Sequence, residues 1–225
     1  MVAAACETDS KADAALEEFC RDYWYPLYAY VRRSGQPPHD AQDLTQEFFR
    51  QLIEKRWLED ADRGKGKLRT FLIVALKHFM AKEWRRATAQ RRDGAAAHTS
   101  FDTDFAESRF AADHQSLGPE ETYDRQWALI LLDRTMNRLR DEFAAEARPG
   151  QFETMKDCLL ADRGGIDYAV LARKLDSNEG AARVAVHRMR KRFRSFYREE
   201  IARTLEDGAD VEEEMRHLAA ALVAR

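Results

Sequence analysis

Two runs of cations in this chain are spaced to hold anions. Residues 63–92 carry Arg63, Lys65, Lys67, Arg69, Lys77, Lys82, Arg85, Arg86, Arg91 and Arg92 against one acid, Glu83, a local excess of +9. Residues 183–198 carry Arg183, Arg188, Arg190, Lys191, Arg192, Arg194 and Arg198 with no acid, and His187 stands among them. The formal net charge of the whole chain is only −3, so the acids lie elsewhere. Residues 93–118 sum to −4, and the tail holds Glu206, Asp207, Asp210, Glu212, Glu213 and Glu214. Two basic stretches separated by an acidic one read as two phosphate-binding surfaces on one chain, with two solvated helix faces as the simpler alternative. A third group is acidic: Asp40, Asp43 and Glu47 fall at i, i+3 and i+7, which puts three carboxylates on one helix face. That face suits either the positive end of a helix dipole or docking of a basic partner.

Catalytic chemistry finds less support. The loop 63–67 (RGKGK) contains GK but not the GxxxxGK[ST] spacing of a phosphate-cradling nucleotide loop. His39-Asp40 is an HD pair of the kind used by helical metal phosphohydrolases, yet His39 follows Pro37-Pro38 and no second cluster repeats a ligand spacing. No Ser/His/Asp or Cys/His set stands out. No catalytic residue, metal site or cofactor is therefore expected. Cys6, Cys20 and Cys158 are odd in number and far apart, which fits a reducing cytoplasm better than a disulfide scaffold. No apolar run is long enough to span a bilayer, and the first residues lack a signal peptide's basic start and apolar centre. The expectation is a cytoplasmic protein with no membrane partner.

The elements that must position these groups are helical. Only 5 Pro and 10 Gly interrupt 225 residues, and they cluster, leaving long stretches rich in Ala, Leu, Glu, Lys and Arg. Apolar residues at three- and four-residue steps predict a helix over 14–34, with a kink or new first turn at Pro26, and a second over 39–55 (Ala41, Leu44, Phe48, Leu52 and Ile53). A long helix runs from Leu68 to about Arg92, with Leu68, Phe71, Leu72, Ala75 and Phe79 inward and Trp84 among its cations. Residues 93–118 hold no period and read as a linker, parts of which dock through Phe101, Phe105 and Phe110. Pro119 opens a helix to about Ala147, and a shorter one follows over 151–161. Within 167–201 a short helix ends near Leu175, Asp176-Ser177 turn, and Asn178 caps a longer helix. Ala182, Val186, Met189 and Phe193 form its apolar stripe, while Arg183, His187, Arg190 and Arg194 repeat on another face. Helix, tight turn and basic longer helix make the helix-turn-helix layout, whose second helix enters a major groove.

Three segments carry a family likeness. DAQDLTQEFFRQL (40–52), KLRTFLIVALKHFMAKEWRR (67–86) and YAVLARKLDSNEGAARVAVHRMRKR (168–192) come in this order in a chain that resembles the extracytoplasmic-function group of bacterial RNA polymerase sigma factors. The likeness spans about 15–92 and 119–203. It implies that Asp40, Asp43 and Glu47, with Gln46 and Arg50, meet the clamp helices of the polymerase largest subunit. It implies that Lys65, Lys67, Arg69 and Thr70 contact the melted strand at the minus-ten element, while Lys77, His78, Lys82, Arg85 and Arg86 hold phosphates. Asn178, Arg183, His187 and Arg188 would position or read the minus-thirty-five element, and Arg190, Lys191 and Arg194 would meet phosphates. The implied partners are core polymerase (clamp helices and the flap of the second subunit) and promoter DNA, with an anti-sigma factor or other regulator as a further one. A regulator that reads DNA without polymerase is the other class the motifs allow.

Departures from the family pattern are concentrated in two places. Gln42 replaces a carboxylate usual in the docking segment, and His78 and Lys82 stand where Asn and Asp are common. In the helix-turn-helix, Asp176 replaces the turn Gly, Ser177 an apolar residue, and Ala181, Ala182, Val184 and Ala185 larger or more polar ones. The resulting expectation is an all-α chain. Residues 1–14 are disordered, 15–92 form one small helical domain, 93–118 an acidic linker, 119–205 a second domain with the helix-turn-helix, and 206–225 a C-terminal amphipathic helix. That last helix is expected to fold back on the second domain; the competing idea is that it masks a basic surface or binds a regulator.

Overall fold

The computed structural model describes residues 2–55, 57, 67–90, 103–112, 116–162, 164–206 and 209–223. Among the described residues there are helices and no strand. They are α1 (Val2–Arg33), α2 (Pro38–Glu54), α3 (Leu68–Gln90), α4 (Thr103–Ala112), α5 (Pro119–Ala145), α6 (Pro149–Met155) with a 3-10 turn over Lys156–Leu159, α7 (Tyr168–Lys174), α8 (Glu179–Ala202) and α9 (Val211–Val223). Close contacts divide the chain into a unit of residues 1–130 with 204–225 and a unit of residues 131–203. This division falls elsewhere than the expected boundary at 118/119, because the first turns of α5 pack with α1 and α3.

In the first unit, an aromatic core explains why α1, α2, α3 and the start of α5 associate. Leu27, Tyr28, Phe48, Leu52, Leu72, Leu76, Tyr123 and Trp127 are fully buried. Tyr23 stacks on Trp127 with ring centroids 4.4 Å apart, and Phe48 meets Phe79 edge-on at 5.7 Å. Such pairs each add about 0.5–1.5 kcal/mol beyond the area they bury. Pro26 sits inside α1 without ending it. That helix begins at Val2, so the first residues are helical rather than disordered, in line with their alanine-rich composition. Gln51 and Gln42 are buried on α2.

The expected linker contains a docked helix. In α4, Glu107 takes a bond from the Tyr28 hydroxyl, and Arg32 donates to it through Nε at 2.7 Å and Nη2 at 2.9 Å. The Arg32 and Arg33 guanidinium groups both pack on the Phe110 ring, 4.6 and 4.5 Å from its centre. Arg109 covers Tyr25 at 3.8 Å and donates to Gln126 at 2.7 Å. Phe101 lies outside the described residues.

In the second unit, α5, α6, α7 and α8 close over Leu139, Phe143, Phe152, Met155, Leu171, Ala172, Ala182, Val186, Met189 and Phe196. Its local signals behave as read. Pro119 opens α5. Ala147 takes a left-handed conformation (φ 57°) and Arg148 N donates back to Phe143 O at 2.8 Å, which closes the end of α5.

Candidate nucleic-acid and partner interfaces

The α7–turn–α8 unit is built from local chemistry. Asp167 caps α7, its side chain accepting from Ala169 N and Val170 N at 3.0 Å. Asp176 makes the turn at φ 47°, the left-handed conformation that a β-branched residue would strain to adopt. Asn178 caps α8 by accepting from Ala181 N at 2.8 Å. Its carbonyl oxygen is thereby committed to the helix start, a structural duty beside the DNA contact expected of it.

The inward face of α8 carries Ala182, Val186, Met189 and Phe196, and the outward face carries Arg183, His187, Arg188, Lys191 and Arg194, all exposed. Arg183 lies over the Tyr168 ring at 4.2 Å. Arg190 departs from expectation. It is half-buried, and its guanidinium donates to Cys158 O at 3.0 and 2.7 Å and to Ala161 O, tying α8 to the 3-10 turn. Its position four residues before Arg194 placed it on the basic face in sequence. The orphan carbonyls at the end of the 3-10 turn draw it inward instead. A groove of about 550 Å³ beside α8 is lined by Phe143, Met155, Val184, Ala185, Met189 and Arg192, among others.

The carboxylate face of α2 is present and partly engaged. Asp40 is exposed and Asp43 and Glu47 are partly exposed. His39 Nδ1 is 3.2 Å from Asp43 Oδ2, so the histidine pairs along the helix, and not with its neighbour Asp40. Arg50 donates to Glu47 at 2.7 Å and to Glu54 at 2.6 Å, and Gln51 donates to Glu47 at 2.8 Å. The Arg50 guanidinium foremost, with help from Gln51, holds the Glu47 carboxyl below the ordinary range. Gln46 is partly buried, and its amide nitrogen is without a partner. Gln42, at the position of a family carboxylate, is buried, which suits a neutral amide better than a charge.

The α3 segment splits in two. Its far half is open: His78, Lys82, Arg85 and Arg86 are exposed, and Trp84 is 69% exposed. Arg86 lies 3.9 Å from Glu83, and Arg85 donates to Ala81 O at 3.1 Å. Its near half is closed by acids from distant sequence. Lys67 Nζ is 2.7 Å and Arg69 Nε 3.0 Å from Glu214 of α9. Arg69 also binds Asp124 of α5, and Lys77 Nζ is 2.8 Å from Glu120. The Arg69 side chain is 12% exposed and that of Glu214 1%. Burial pushes the Glu214 carboxyl up, but Lys67 and Arg69 outweigh it and hold it below its ordinary value. Thr70 is exposed, and Lys65 lies outside the described residues, as do Arg63, Arg91 and Arg92.

The tail helix is therefore placed otherwise than expected. It packs in the first unit, with Leu218 fully buried, His217 Nε2 2.7 Å from Asp124 Oδ2, and Arg125 Nη1 donating to Leu222 O at 2.6 Å. Sequence reading missed Glu214, Asp124 and Glu120 as partners of these cations, and Glu107 as the partner of Arg32. One signal was available for Glu214: it lies at i+3 from Val211 and i−4 from Leu218, on the inward stripe of an amphipathic helix, where a carboxylate requires a cation opposite.

Residues 21–90 match the family model described as Sigma-70 region 2. The match covers α2, α3 and the later part of α1. No curated protein and no solved structure matches the chain. No helix among the described residues is long and apolar enough to cross a membrane.

Proposed function

We propose that this chain, a sigma-70 family member by its region 2, is an alternative sigma factor of the extracytoplasmic-function type that brings core RNA polymerase to a promoter and holds the opened strand. The family match supports a factor that binds the polymerase core, a protein whose partners are core and promoter DNA and whose role is not catalytic. The finer assignments rest on side-chain placement. Asp40, Asp43 and Glu47 offer an accessible acidic face for a basic clamp helix, with Gln46 and Arg50 beside it. Trp84, exposed and flanked by Lys82, Arg85 and Arg86, has the composition of a stacking platform for an unpaired base between phosphate contacts. Opening the duplex needs no bond cleavage: capture of unstacked bases offsets the lost stacking. On α8, Arg183, His187 and Arg188 near the turn are assigned to the major groove of the upstream element, and Lys191 and Arg194 to phosphates.

The observation that carries this reading is the region-2 match over residues 21–90, which include the acidic α2 face. Its test is recovery of core polymerase by tagged full-length protein. Wild type should retain core, and Asp43→Arg should lose it by about tenfold or more, since the substitution sets like charge against a basic partner. Equal recovery removes the clamp assignment. A chain that binds duplex DNA but retains no core in either form is a helix-turn-helix regulator that acts without polymerase.

A further inference from the structure

The near half of α3 presents a paradox for a strand-binding surface. Lys67 and Arg69, two of the cations assigned to the melted strand, are already neutralised by a carboxylate from residue 214 of the same chain. We propose that α9 is an internal plug: Glu214 occupies the seat of a nucleic-acid phosphate between Lys67 and Arg69, so that α9 and single-stranded DNA compete for the same two cations.

This rests on the sigma reading for its ligand, and on geometry for everything else. A carboxylate and a phosphate offer the same thing to an arginine fork and a lysine ammonium, namely acceptor oxygens bearing negative charge. Glu214 supplies it at 2.7 and 3.0 Å. The seat is partly prebuilt without α9. Asp124 binds Arg69 from the side, the Tyr123 hydroxyl donates to Arg69 O at 2.9 Å, and Leu68 N donates to Thr204 O at 2.9 Å. Removal of α9 therefore leaves the start of α3 in place and takes away both Glu214 and the His217 contact to Asp124.

The plug is also lightly held. Leu218 is the apolar side chain of α9 that is fully buried; Val211, Met215, Ala221 and Leu222 are partly covered, and Ala219, Ala220 and Val223 face solvent. Besides the Glu214 pairs, its polar ties include His217 to Asp124 and Arg125 to the Leu222 carbonyl. A buried ion pair adds little net stability over its desolvation cost, so another anion that brings its own contacts along α3 can replace it. Glu212 and Glu213 at the start of α9 are exposed and repel an approaching strand until the helix leaves.

Full-length wild type, Leu218→Asp and Glu214→Gln should be titrated with a labelled single-stranded oligothymidine over a series of salt concentrations, with circular dichroism melts as a control for folding. Leu218→Asp undocks α9 without touching a cation, and its added negative charge by itself weakens DNA binding, so a gain reports release. The expected result is an affinity at least about fivefold higher for Leu218→Asp. Its salt dependence should be steeper by about 1.4, from two further phosphate contacts at ~0.7 each for a single strand. Glu214→Gln should move the same way by a smaller factor. Binding no tighter than wild type in both variants, including no binding at all, overturns the plug. If Leu218→Asp loses its cooperative melt, Glu214→Gln decides alone. Core polymerase recovery, read in parallel, separates the two ideas. A wild type that retains no core while Leu218→Asp gains affinity keeps the plug and sinks the sigma reading. Normal core recovery without that gain does the reverse.

Discussion

The outer face of α8 and the start of α3 look alike as sequence and differ as surfaces. Both are cation-rich helical stretches with few neighbouring acids. On α8 the outward cations stay exposed; among the described residues Arg183 meets acid within its own helix, at 3.5 Å from Glu179, and of the α8 cations Arg192, beside the groove, meets Glu142 of α5 at 2.5 Å. At the start of α3 each described cation faces a carboxylate from far along the chain: Glu214 for Lys67, Asp124 and Glu214 for Arg69, Glu120 for Lys77. The lesson is about range. Charge counted in a window sees partners a turn away, whereas the partners that decide whether a cation is available lie 43 (Lys77–Glu120) to 147 (Lys67–Glu214) residues off.

The comparison breaks most readily at Arg69. Arg69→Ala leaves the Glu214 carboxylate buried with Lys67 alone, and loss of one member of a buried ion pair costs about 3–5 kcal/mol. Chemical denaturation should show that loss, and Arg188→Ala on the open face should stay within about 0.5 kcal/mol of wild type. Similar costs at the two positions would mean that the start of α3 is as open as α8. Next in size is the converse experiment. Arg188→Glu combined with Lys191→Glu should weaken duplex DNA binding by about a hundredfold at low salt with no change in melting, since exposed cations act through phosphates and not through the core. Retained affinity would deny the open face its role. A smaller effect is expected at the cap. Asn178→Ala should cost about 1 kcal/mol, the usual worth of a side-chain N-cap, read as a lower melting temperature with a modest loss of DNA affinity from a frayed α8 start. An unchanged melt combined with lost affinity would show that the amide works on DNA and not on the helix.

Much of the fold was legible because it is written locally. Asp176 and Asn178 announce the turn and the cap, Pro119 the start of α5, and the stripes at Ala182, Val186 and Met189 or Phe48 and Leu52 the buried faces; each depends on neighbours within a turn or two. Arg190 shows where that legibility ends. Its spacing matches Arg183, His187 and Arg194, but the carbonyls of Cys158 and Ala161 claim it, and nothing near it in sequence says so. The division of the chain failed to show for the same reason. Residues 103–112 look like linker until Glu107 finds Tyr28 and Arg32, and the tail was assigned to the nearer domain when its buried carboxylate needed cations that only α3 supplies.

The smallest predicted effect concerns acid. Glu214 and Glu107 both have carboxyls held below the ordinary range. For Glu214 burial acts upward and is outweighed by Lys67 and Arg69; for Glu107 the Arg32 bonds lead. A carboxylate whose folded pKa is depressed stabilises fully above its unfolded value, about 4.3 for glutamate, and that stabilisation is lost as pH falls through the folded value. The contribution of Glu214 to the attachment of α9 should therefore be full at neutral pH, begin to fall below about pH 4.3, and be lost once Glu214 is protonated. Lys67 and Arg69 face Glu214 across that window, and His217 of the same helix lies against Asp124. Hydrogen exchange of the 211–223 amides should rise over that window before exchange in the first half of α8 does, because residues 179–190 carry no buried carboxylate to titrate. Simultaneous loss of protection in the two helices would mean that acid acts on the chain as a whole, and that Glu214 is not the group that holds α9 to the start of α3.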